Sequence, residues 1–174
     1  MTSAPVIRET EPTDAETLSR IGKSTFIETF GHLYKPDDLN AFLKKSHDAS
    51  VYEKLTGDPR SQAWLVEQDG DAIGYASVGP CDLPVPDLPN NAGELQRLYM
   101  LEKAHGMGVG TKLLRLALDW LDAHFEHVFV SVYAENKGAQ KLYKRHGFEK
   151  IHDYFFMVGE HPDPEWIMKR TSHS

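Results

Sequence analysis

Apolar residues recur along this chain with two periods, and the switches between them predict its elements. Val6-Ile7-Arg8 reads as a short first strand. Pro12 and Asp14 open a helix running to about Phe30, with Leu18, Ile21, Phe26 and Phe30 at its apolar positions. Asp37 to Lys45 and Ser50 to Leu55 read as two further short helices. Ala63 to Glu67 and Ala72 to Val78 are β-prone runs flanking Asp69-Gly70, a strong hairpin signal. Pro80 to Asn91 carries four prolines and predicts a loop. A strand over 94–101, a helix over 108–123, a buried strand over 127–133 and a helix over 137–146 follow. A final pair of strands is expected near 148–158, with Ile167-Met168 extending the last strand or forming a return. This order, without repeats or low-complexity segments, predicts one mixed α/β domain over residues 1–174.

Composition narrows the setting. A chain of 174 residues with 40% hydrophobic content suits a single compact core. Its one cysteine, Cys81, excludes an intramolecular disulfide and points to a reducing, cytoplasmic compartment. Cys81 has no base partner in its Gly79-Pro80-Cys81-Asp82 segment, which argues against a catalytic thiol. No early apolar run resembles a signal peptide and none is long enough to cross a bilayer, so no membrane association is expected. A net charge of −7 argues against a nucleic-acid surface and suits cationic substrates; solubility alone accounts for it equally well. His124 and His127 lack a third ligand nearby in sequence, and no metal is expected.

The candidate chemistry starts at Arg97 to Leu114, where a β-prone run enters Gly106, Gly108 and Gly110 and an amphipathic helix leaves them. Glycines at a strand-to-helix turn let the backbone approach a ligand closely. The first helical N–H groups have no intrahelical partner and point out of the positive helix end, which makes an anion site. Spacing decides among phosphate loops. Thr111-Lys112 follows Gly110 in the wrong order for a Walker motif, and Thr111 stands where a dinucleotide fingerprint needs glycine. A tight turn whose glycines serve packing is the other reading of these residues.

Downstream, Asn136 suits a helix N-cap, Ala139, Leu142, Tyr143 and His146 share one helical face, and Gly147 sits where a C′ glycine belongs. Here the sequence resembles the GNAT superfamily of acetyl-CoA-dependent N-acetyltransferases. Its pyrophosphate loop, Q/R-x-x-G-x-G/A, falls on His105 to Gly110; its second motif, N-x-x-A-x-x-L-Y-x-x-x-G-F, falls on Asn136 to Phe148. One departure is visible, His105 in place of Gln or Arg. The resemblance implies the GNAT fold, a mixed, mostly antiparallel sheet flanked by helices, whose central strands splay to admit the pantetheine arm. Thr25 to Phe30, Leu39 to Leu43, Glu94 to Tyr99, and Phe155-Phe156-Met157 with Ile167-Met168 further resemble PaiA-type polyamine N-acetyltransferases. Those acetylate spermidine and spermine.

The resemblance carries roles to individual positions. Backbone groups of Tyr99, Met100 and Leu101 are expected to pair with pantetheine amides. Amides of Gly106, Met107, Gly108, Val109, Gly110 and Thr111 are expected to hold the pyrophosphate, His105 to adjust its affinity, and Lys112 to add charge. Asn136 is expected to bind the pantetheine end, cap its helix, or both. Tyr143 matches the family's tyrosine that protonates the departing sulfur; its other reading is a core aromatic. The attacking amine must be neutral, although a primary alkylamine has a pKa near 10.4, so a base or a dry site is needed. Glu94, where related enzymes place a carboxylate, is the candidate base; as a solvent-facing strand residue it would have no such role. Glu28 is a candidate for binding the cationic chain of the substrate, and Phe30 for packing against it, although Phe30 suits the core equally. The acceptor is therefore expected to be a small-molecule amine, and a homodimer is compatible with the resemblance. A GNAT enzyme acting on protein, peptide or other amines, and a CoA-binding regulatory module without turnover, are the alternatives.

Overall fold

The computed structural model describes residues 3–171. One seven-stranded sheet forms the middle of the molecule. Its strands are β1 (Val6–Glu9), β2 (Gln62–Gln68), β3 (Asp71–Pro80), β4 (Ala92–Met100), β5 (His127–Tyr133), β6 (Phe148–Val158) and β7 (His161–Arg170). The helices are α1 (Ala15–Phe30), α2 (Pro36–Ser46), α3 (Ala49–Gly57), α4 (Val109–His124) and α5 (Lys137–Arg145). Spatial order is β1-β2-β3-β4-β5-β7-β6, antiparallel throughout except between β4 and β5.

The hairpin at Asp69-Gly70 has both turn residues at positive φ, 53° and 85°, which gives the backbone twist that joins β2 to β3 tightly. α4 buries Leu113, Leu114, Ala117, Leu118 and Leu121 at helical spacing against Val128, Val130, Val132 and Met168. On the opposite face, α1 and α3 enclose Leu18, Ile21, Tyr52, Leu65 and Tyr75. The sheet is therefore covered on both sides, and among the described residues no helix is long and apolar enough to cross a membrane.

The C-terminal strands meet the sequence expectation in part: Ile167-Met168 do lie on a return strand, but the pair of strands is placed differently. In place of two strands within 148–158, β6 occupies that whole segment and β7 returns antiparallel from His161. Gly159, at φ 60°, leads a two-residue turn. Pro162 and Pro164 obscured β7, because proline cannot donate to a ladder. Both lie where β7 runs beyond β5, which pairs with it only from Glu165 onward. Two residues apart, they direct their missing N–H groups to that same open side.

β4 and β5 pair only from Ala92 to Leu95 and from His127 to Val130. Beyond that register the two strands part, and the notch between them organises the site.

Candidate active site

The glycine loop closes the far end of β4. Gly106 and Gly108 have φ of 84° and 77°, a conformation that side-chain-bearing residues rarely adopt. Gly108 is the N-cap of α4, and no side chain caps that helix end. The first amides of α4 therefore face outward without an internal acceptor, and a diphosphate fits that donor set. α5 contrasts with it, because Asn136 Oδ1 accepts the Ala139 N–H at 3.2 Å.

Next to the loop, a cavity of about 910 Å³ opens over the face of the sheet that carries α1. Strand alternation selects its lining. Glu94 is in register with Phe129, and Tyr133 with Glu165, so Glu94, Phe129, Ser131, Tyr133 and Glu165 share one face. Tyr154 pairs with Glu165 from the other side and bonds Ser131 at 2.6 Å, which brings β6 into the same wall. A β-bulge completes the arrangement. The β3 register shifts between Ser77 and Val78, leaving Gln96 as an extra residue on β4. Glu94 and Arg97, three positions apart, consequently face the same cavity.

Burial dominates the electrostatics of this space. Glu94 is held up to about 7 by burial, while its Oε1 accepts the Asp82 N–H at 3.0 Å. Glu165 is pushed up to about 8 by burial and by neighbouring Asp163, and its Oε2 is buried without a hydrogen-bond partner. Asp163 accepts a bond from the Tyr34 hydroxyl and faces His161 Nε2 at 3.2 Å. Arg97 is a buried cation of the wall, and it donates to the Ser46 carbonyl at 2.7 Å and to the Tyr52 hydroxyl. Burial raises the Tyr143 phenol well above its ordinary range, so the group stays protonated. Cys81, pushed up to about 11 by burial, stays a thiol and packs beside Ala92, Phe129 and Ile167.

The residues singled out in the sequence are brought together unevenly. Glu94, Tyr99, Met100, His105, Asn136, Tyr143 and Phe30 all line the cavity. Phe30 stands edge-on to Tyr99 and Tyr133, with centroids 6.4 and 6.0 Å away, so it bridges the parted strands β4 and β5. Leu101 N–H is engaged with the Ile73 carbonyl at 2.8 Å, and ladder alternation turns the Tyr99 backbone the same way. Of those three, Met100 is the residue whose backbone faces the notch; its carbonyl meets His105 Nε2 at 3.1 Å. Glu28 is exposed and outside the cavity wall, with its Oε1 accepting the Glu102 N–H at 3.2 Å. Sequence reasoning missed Arg97, His47, Tyr154, Asp163 and Glu165. Among the described residues no group of three His, Cys, Asp or Glu side chains is placed to hold a metal ion.

Comparison with known proteins agrees with this geometry. Residues 27–148 match the model of the Acetyltransferase (GNAT) family. An uncharacterized N-acetyltransferase from Lactobacillus delbrueckii subsp. lactis is 24% identical over 98% of this chain and 99% of its own. The spermine/spermidine N(1)-acetyltransferase of Bacillus subtilis is 31% identical, over 47% of this chain and 55% of its own. The PaiA N-acetyltransferase from Thermoplasma acidophilum, solved with coenzyme A, superposes with a TM-score of 0.75 over 98% of this chain and all of its own, at 16% identity, a likeness of fold.

Proposed function

This chain belongs to the acetyltransferase (GNAT) family and draws its acetyl group from acetyl-CoA, and we propose that its acceptor is a primary amine on a flexible cationic chain, of the polyamine class of spermidine and spermine. One observation carries the acceptor class: the cavity combines buried carboxylates on β4 and β7 with aromatic walls from Phe30, Tyr133 and Tyr154. Carboxylates attract ammonium groups, and aromatic faces accept both methylenes and cations. The Bacillus subtilis relative, named for spermine and spermidine, supports the same class.

When bound, acetyl-CoA supplies a thioester whose carbonyl carbon an amine can attack. The residues of the chain do the rest. Amides from Gly106 to Thr111 hold the diphosphate, and Met100 offers a strand edge in the notch. Glu94 takes the ammonium proton, directly or through water, and burial gives it a basicity suited to neutral pH. Tyr143, kept protonated, offers its hydroxyl to the sulfur that departs. His105 adjusts the loop, and Asn136 fixes the first turn of α5.

A panel of polyamines, monoamines, amino acids and peptides, followed by thiol release from acetyl-CoA, tests this reading. Turnover of polyamines at the highest kcat/KM supports it. Turnover confined to peptides or amino acids would replace the acceptor, and CoA binding without turnover of any amine would make the protein a regulatory module.

A further inference from the structure

Among the described residues, Glu165 is a carboxyl in the cavity with neither a hydrogen bond nor an ion pair to its side chain. Its Oε2 is buried without a hydrogen-bond partner. Among the described residues the groups that interact with its charge include Asp163 on its own strand and the phenols of Tyr34, Tyr99, Tyr133, Tyr143 and Tyr154, and no ion pair to Glu165 is formed. Asp163 differs: its Oδ2 accepts from Tyr34, and its Oδ1, although also without a hydrogen bond, has His161 Nε2, a cation when protonated, 3.2 Å away. Arg97 spends its donors on Ser46 and Tyr52, on the other side of the site. A buried carboxyl without a partner is costly, and a carboxylate there gains most from a cation delivered by a ligand.

The register also separates Glu165 from Glu94. Their β5 partners, Tyr133 and Phe129, are four residues apart, and the two acids lie on strands either side of β5. Rise and strand spacing put their Cα atoms roughly 16 Å apart, so they address two positions in one cavity. Ser131 on β5 lies between their register positions, and the Tyr154 hydroxyl reaches over from β6 to bond it at 2.6 Å.

We propose that Glu165 is a specificity-determining residue that pairs with a second ammonium group of the acceptor, while Glu94 serves the amine that is acetylated. This inference rests on the amine-acetyltransferase reading above and adds which residue holds the second cationic group and where it lies relative to the reacting amine. Burial pushes the empty Glu165 up to about 8, and an ammonium beside it draws it back into the charged form.

The test compares a diamine with the monoamine of the same chain length, on the wild type, Glu165→Gln and Glu94→Gln, at saturating acetyl-CoA. Glu165→Gln should lower kcat/KM for the diamine on the order of tenfold or more, through KM, and leave the monoamine within about twofold. Glu94→Gln should lower kcat for both. Calorimetric CoA affinity, unchanged in Glu165→Gln, certifies the fold. Equal losses for both amines, or none, overturn the role of Glu165 while the acetyltransferase reading stands. A wild type that acetylates neither amine overturns that reading, and this inference with it.

Discussion

The Tyr52 hydroxyl lies 2.8 Å from His47 Nδ1, and the proton between them belongs to the tyrosine. Arg97 has no lone pair and points an amino group at both, reaching Nδ1 at 3.4 Å, so Nδ1 is a bare acceptor. Burial and Arg97 hold His47 down to about 3 from an ordinary 6.5. Unfolding therefore takes up a proton that the native state refuses, and stability is lost as pH falls from 6.5 toward 3. Glu94 and Glu165 act oppositely: held up to about 7 and about 8 from 4.5, they favour the native state at low pH and lose that contribution as pH rises.

Replacing His47 by Gln keeps an acceptor for Tyr52 and removes the titration. The melting temperature of the wild type should exceed that of His47→Gln above pH 6.5, and the gap should close on acidification. Parallel melting profiles across this window would remove His47 from the acid response.

The glycine loop yields a second expectation. A Cβ on Gly108 meets no atom within 4 Å, so the demand for glycine comes from its φ of 77°. Gly108→Ala should cost about 1–2 kcal/mol in stability and keep measurable CoA binding. Gly108→Glu adds a carboxylate at the proposed diphosphate site, and like charges in contact cost several kcal/mol, so CoA affinity should fall on the order of 100-fold or more. Circular dichroism should report a retained fold; unchanged calorimetric affinity would refute the loop assignment.

Glu94→Gln addresses the base. With Glu94 held up to about 7, the wild-type advantage over the variant should grow as pH climbs through that value and then level off. At the plateau, loss of a general base should lower kcat by about 10²–10⁴. A ratio of rates constant with pH would assign the proton to another group.

What was legible in the sequence was local. The glycine turn, the Asn136 cap, the Asp69-Gly70 hairpin and the helix faces each depend on residues within one or two turns of one another. Glu165 escaped because its neighbours Tyr133 and Tyr154 come from β5 and β6, and only pairing register brings them together. Arg97 escaped for a different reason. Alternation alone sends residues three apart to opposite faces, and the extra Gln96 reverses that. Glu28 illustrates the converse: an acidic residue near a substrate-like aromatic stretch, yet turned to the Glu102 amide.

Tyr143 decides whether leaving-group chemistry runs through α5. Its ring packs against Phe148 with centroids 5.7 Å apart, and burial keeps its hydroxyl protonated. Tyr143→Phe retains the ring and its packing and removes only that hydroxyl. If the residue serves the core alone, stability shifts slightly and turnover hardly moves. If the hydroxyl assists departure of the sulfur, kcat should fall on the order of 10²-fold, within the range for a lost general acid. CoA affinity should change far less, because the bond matters chiefly in the transition state. The burial that raises this phenol also opposes full proton transfer from it, so the larger share of the effect should come from a hydrogen bond donated to the developing thiolate. Single-turnover rates with a good acceptor at saturating acetyl-CoA isolate the chemical step, and an unchanged rate there would return Tyr143 to the core.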